Sequence, residues 1–225
     1  SRLCLYRSDA RGAWAAPDFI DLPGGYFIHD FVLTARHRIF FLTPAAFDLP
    51  KTLLGLASPI ETFHALPGPT RILIVDRNST AHRSVDAAPC FIFHFPNGYE
   101  ADDGTLVVDG FRMASFPTAT GVDMSGQTTT FPKPFLTRYR ISPAGAVEET
   151  RLSEHACELG GINPAYNARR HRFAYMIAAP VGFKLPFHTG LAKVDCDAGT
   201  TWYREFGPHL VGEPVFVARP GAAAE

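Results

Sequence analysis

Hydrophobic residues in this chain come in short runs rich in Phe, Ile, Val and Leu, and clusters of Gly, Pro, Asp and Ser close each run. Residues 3–12 (LCLYRSDARG) predict a strand entering an Asp-Ala-Arg-Gly turn, with a second strand near 15–22. After Pro23, Gly24 and Gly25, residues 26–34 (YFIHDFVLT) predict a buried strand and 36–44 (RHRIFFLTP) its hairpin partner. The pattern weakens over 45–58, which reads as a loop with a short helical turn. A clear strand follows at 70–77 (TRILIVDR), and a polar turn, RNSTAHR, comes after it. Residues 90–100 (CFIFHFPNGYE) open on a run that predicts a strand buried on both faces.

Further strands are expected at 105–112, 135–141, 147–152, from about 171, at 190–195 and at 201–206, with GEPVFVA (212–218) closing the chain as a buried strand. Residues 113–130 carry no period and read as a long loop, and ELGGINP (158–164) is short, polar-ended and Gly-rich. Turn signals DARG, DDGT, SPAG and DAGT each join two strands. This recurrence, with almost no helical stretch, predicts an all-β fold of radially repeated antiparallel sheets, a β-propeller rather than a sandwich. At about 45–50 residues per four-stranded blade, the chain makes about four blades in a single domain over residues 1–225. It begins almost at once with a strand and stops soon after another, so a piece of a longer protein is expected.

Composition removes several alternatives. The formal net charge is −1, without the basic excess that nucleic acid or an anionic membrane surface would attract. No apolar run reaches the roughly 18 residues of a membrane-spanning helix, and no signal-peptide pattern opens the chain. Cys4, Cys90, Cys157 and Cys196 lie far apart without CxxC spacing, so free thiols in a reducing, cytoplasmic setting are expected.

Among nine histidines, seven have polar neighbours and read as solvated: His37, His64, His82, His155, His171, His188 and His209. His29 and His94 differ, because each is embedded in a strongly apolar run. Glu158 opens ELGGIN and Glu213 precedes PVFV, both in settings where a carboxylate needs a partner. Two accounts stay open on these residues alone. Either the histidines are core residues and the carboxylates close turns, or His29 and His94 aim at one metal centre while Glu158 and Glu213 accept hydrogen bonds from their far nitrogens.

The segments IHDFVLT, FHFPNGYE, ELGGINP, RRHRFAY and GEPVFVARPGA, in this order, resemble the carotenoid cleavage oxygenase family, which includes the retinal-pigment-epithelium isomerase and the lignostilbene dioxygenases. The resemblance runs through the whole chain. It implies the central-to-C-terminal portion, truncated at both ends, of a seven-bladed propeller whose axis carries one Fe(2+) held by four histidines and three supporting glutamates. On this basis His29 and His94 match two iron ligands, and Glu158 and Glu213 match two supporting carboxylates. The other two histidine ligands are expected outside this chain.

The implied activity is a non-haem Fe(II) dioxygenase that uses O2 to cleave a C=C double bond of a carotenoid, apocarotenoid or stilbene-like substrate into two carbonyl products. Any peripheral membrane contact falls to regions outside these residues. The chain departs from the family pattern at Leu159 and Gly160, where an aromatic and a proline are usual, and at Gly98, where alanine is usual. The alternative reading is an inactive propeller of the same family that binds a lipophilic ligand or a protein. Isomerohydrolase chemistry on a retinoid ester would use the same site.

Overall fold

Antiparallel pairing links strands largely in chain order. The computed structural model describes residues 1–56, 62–116, 132–182 and 188–221. Strands β1 (Arg2–Leu5) and β2 (Asp18–Asp21) form a two-stranded ribbon. A six-stranded sheet follows: β3 (Tyr26–Phe27) and β4 (Val32–Leu33) pair in turn with β5 (His37–Phe47), which also pairs β6 (Phe63–Ala65) and β7 (Thr70–Asp76), and β8 (His82–Ala87) completes it. The helical turn expected after β5 is the helix α1 (Leu49–Leu53), capped by Asp48.

The remaining strands are β9 (Phe91–Ile92), β10 (Asn97–Glu100), β11 (Leu106–Met113), β12 (Phe135–Ile141), β13 (Val147–Ile162), β14 (Phe173–Ala178), β15 (Gly190–Asp195) and β16 (Thr200–Glu205). They form one run, but the 16-residue β13 divides it. Its first half pairs with β12, and its second half pairs with β14. Counting the ribbon as the first blade and the β3–β8 sheet as the second, β9 to the first half of β13 make the third and the second half of β13 to β16 the fourth, so a strand last in one blade becomes first in the next.

Blades stack because their strands bury both faces. In β5, Ile39 and Phe41 face the third blade, in a core with Val108, Tyr139 and Ile141, while Phe40 and Leu42 face Leu5 and Ile20 of the ribbon. Ile72 and Ile74 of β7 alternate with Leu73 and Val75 in the same way. A third core joins Phe111, Leu136 and Cys157 to Met176 and Val194. A two-layer sandwich would leave one face of each sheet polar. Burial of both faces in successive blades is the expected propeller arrangement, here not closed into a ring.

Four expectations need correction. Residues 26–34 are two short strands interrupted at Ile28–Phe31, and the 90–100 stretch is likewise broken between Ile92 and Asn97. The strand expected at 147–152 runs on through ELGGI, the bulged end of β13, with the register shifting between Glu158 and Gly160. GEPVFV is extended but unpaired, leaving Val215 and Val217 more than four-fifths exposed. A polar turn was expected through residue 83, yet His82–Ala87 is an outer strand, too charged for alternation to reveal. Most of the long loop expected at 113–130 lies outside the described residues.

Candidate metal centre

Each interruption sits in the first strand of a blade, and the first strands converge. His29 lies in the gap between β3 and β4, and His94 lies in the equivalent gap between β9 and β10. Their ring centroids are 5.0 Å apart with planes at 86°. Glu158 lies at the β13 bulge, where the first strand of the fourth blade begins. Breaking the ladder frees these positions to turn inward instead of alternating across the sheet.

His94 is fixed from both ends. Its backbone carbonyl accepts from Phe111 N at 3.2 Å, in β11. Its Nδ1 donates to Glu158 Oε2 at 2.7 Å. A carboxylate can only accept here, so the proton is on Nδ1 and Nε2 keeps its lone pair. Glu158 is 9% exposed, its Oε2 also accepts from Leu159 N at 2.8 Å, and its Oε1 is buried without a partner among the described residues. The Glu158 hydrogen bond holds the His94 imidazole above its ordinary pKa, outweighing burial, and the charges of Asp30 and Glu213 act in the same direction.

His29 is exposed rather than buried as its sequence setting suggests, and its ring makes no hydrogen bond among the described residues. Glu213 is also exposed and accepts no hydrogen bond from the described residues, although it lies near enough to act on His94 electrostatically. The structure thus brings together His29, His94 and Glu158, and leaves Glu213 on the periphery.

An aromatic cage borders the imidazole pair, assembled from rings far apart in the sequence. Phe27 lies parallel to His29, with ring centroids 6.4 Å apart, and packs on Phe63, Phe91, Phe93 and Phe116. Phe93 meets His29 edge-on at 5.3 Å. The wall is apolar right up to the imidazoles.

A second polar cluster corrects the solvated reading of His171, which is 1% exposed. Arg138 donates to both oxygens of buried Asp109, each at 2.8 Å, and His171 Nε2 comes within 3.0 Å of Oδ2. Asn97 Nδ2 donates to His171 Nδ1 at 2.9 Å, joining the NGYE segment to RRHRFAY. The signal was Asp109, a carboxylate in the apolar run TLVVDGFR, which needs a buried partner. Asp109, His171 and Cys196 offer ligand atoms within 4.8 Å of one another. Arg138 already neutralises the carboxylate, and burial pushes the Cys196 thiol up to about 12, so we read the cluster as a pin between blades. His37, His155 and His188 are also partly buried, whereas His64, His82 and His209 are exposed as expected.

Successive both-face-buried sheets, with paired imidazoles where their first strands converge, define a partial propeller with a candidate metal centre at its middle. The whole chain, residues 1–225, matches the family model described as retinal pigment epithelial membrane protein. It is 32% identical over its full length to the apocarotenoid-15,15'-oxygenase of Synechocystis sp., covering 47% of that protein. A carotenoid cleavage oxygenase of Mycobacterium tuberculosis is 32% identical over 70% of the chain and 33% of its own length. The crystal structure of cobalt-substituted Synechocystis ACO superposes with a TM-score of 0.89 at 30% identity, over 100% of this chain and 48% of that one. The chain belongs to the retinal pigment epithelial membrane protein family, the carotenoid cleavage oxygenases. It spans about half the length of the curated relatives just described, or less.

Proposed function

We propose that this chain supplies part of the iron centre of a non-haem Fe(II) dioxygenase that cleaves a C=C double bond of a carotenoid or apocarotenoid. The observation that carries the reading is the His94–Glu158 contact beside His29. Two imidazoles at one point, one with its tautomer set by a buried carboxylate, are a donor set suited to a divalent first-row metal. The orphaned Glu158 Oε1 supports this reading, since a lone buried acceptor stabilises nothing unless its carboxylate has a second task.

His29 and His94 would hold the ion, which would supply the position where O2 binds. Glu158 keeps the His94 proton on Nδ1, away from the ion. Phe27 and Phe93 form an apolar wall against which a polyene can lie, and they limit water beside the centre. In the overall reaction each alkene carbon takes one oxygen atom of O2, giving two carbonyl products. The relatives with names that specify a substrate are carotenoid or apocarotenoid enzymes, which favours a polyene over a stilbene.

The test is incubation of the complete iron-loaded protein under labelled dioxygen with apocarotenoids, carotenoids and stilbenes, followed by mass spectrometry of the carbonyl products. Labelled aldehydes from a polyene are expected. Absence of cleavage across the panel, with iron bound, would overturn the reading in favour of an inactive propeller.

A further inference from the structure

The side chain after His29 reaches across to the backbone after His94. Asp30 Oδ1 accepts from Phe31 N at 2.7 Å, and Asp30 Oδ2 accepts from Phe95 N at 3.1 Å. One carboxylate thus bridges two interrupted strands that are 65 residues apart in sequence at this contact. Among the described residues, nothing else accepts from Phe95 N, which lies in the gap where ladder pairing fails.

We infer that Asp30 is a positioning residue for the candidate metal centre, setting the distance and angle between the His29 and His94 imidazoles by tying their two backbones together. The inference rests on the iron reading above and assigns a role apart from the two glutamates. Glu158 orients the His94 ring about its own bonds and touches only that imidazole. It cannot set where the His29 segment lies relative to the His94 segment. Other backbone contacts near His94 come from its own blade, through Phe111 N, and from Gly110, whose Cα passes so close to Phe95 that a Cβ there would sit 3.0 Å from Cδ1. Among the described residues, Asp30 is the polar contact that crosses from one gap to the other. A carboxylate suits the task because each oxygen accepts one N–H and neither has a proton to misplace.

The experiment uses the complete protein, with Asp30→Asn and Asp30→Ala beside the unmutated form. Asn is isosteric but has one acceptor oxygen for two N–H donors, so it cannot hold Phe31 N and Phe95 N as the carboxylate does. Fe(II) affinity is measured by chelator competition, the absorption bands of the Co(II)-loaded protein report ligand geometry, and thermal melts report folding. Outer partners of metal ligands typically change affinity about 10–100-fold, so Asp30→Asn is expected to weaken iron binding at least about 10-fold and to shift the cobalt bands, while still melting cooperatively. Unchanged affinity and cobalt bands in a folded Asp30→Asn protein would overturn the inference and leave the iron reading intact. If the unmutated protein takes up no metal, the iron reading fails and this role fails with it. Should Asp30→Ala not fold, Asp30→Asn alone decides.

Discussion

At the scale of single residues, burial decides which polar groups matter, and the sequence exposes that only where an acid or imidazole stands in an apolar run. His94 and Asp109 both do, and both have buried partners. His94→Ala in the complete protein should abolish stoichiometric iron and turnover, because it removes a donor and leaves Glu158 facing an empty space. Metal analysis checks this, and full iron retention would contradict it. Asp109→Ala should cost about 3–5 kcal/mol in denaturant unfolding, since it leaves the Arg138 guanidinium buried and unpaired. A loss below 1 kcal/mol would mean that water reaches the pin.

At the scale of elements, most strands were legible, apart from β8 and the absent GEPVFV strand, and strand continuity was not. The continuous apolar run ILIV marks β7 because both faces pack, but nothing local shows that FIFHFPNGYE breaks at Phe93, since the break is imposed by convergence of the first strands. The sequence singled out His29, His94, Glu158 and Glu213 as one set without assigning partners, and the exposure of His29 and Glu213 was not legible in it, because burial depends on neighbours in other blades.

The NGYE strand carries two tests. A Cβ on Gly98 would come within 2.4 Å of Val32 Cγ1 and 3.2 Å of Val107 O. Gly98→Ala should therefore cost about 1–3 kcal/mol, and adding Val32→Ala should recover part of it, giving a non-additive double-mutant cycle. Two residues on, burial alone would raise the Glu100 pKa. Hydrogen bonds from Thr34, Arg36 N, the Arg36 guanidinium and His37 instead hold it down at about 2. A depressed carboxylate stabilises the fold above its unfolded value of 4.5 and loses that contribution as pH falls toward 2. Glu100→Gln should flatten the unfolding-versus-pH curve in that window, and an unchanged curve would remove Glu100 as the acid-sensitive tie.

At the scale of the whole molecule, what this chain lacks is visible as unpaired surface. The outer edge at β8 is blunted by His82, Arg83 and Asp86, a common protection against pairing with another chain. The β1–β2 ribbon carries charges at Arg2, Asp18 and Asp21, but it also exposes large apolar side chains. It is two strands wide and carries Phe19 52% exposed, with Trp14 72% and Tyr6 65% exposed beside it. Two strands alone are marginal in water, so this blade depends on partners beyond its own hydrogen bonds. On the proposed iron reading the centre has the same incompleteness: His29 and His94 would be two donors, and a first-row ion bound by two imidazoles exchanges readily unless further ligands close the set. The 225 residues expressed alone should therefore self-associate and hold iron far below one equivalent after dialysis. Sedimentation velocity with metal analysis tests both points together. A monomer that keeps one tightly bound iron would show that the pair of imidazoles, with Glu158 and Asp30 behind them, is already a sufficient site.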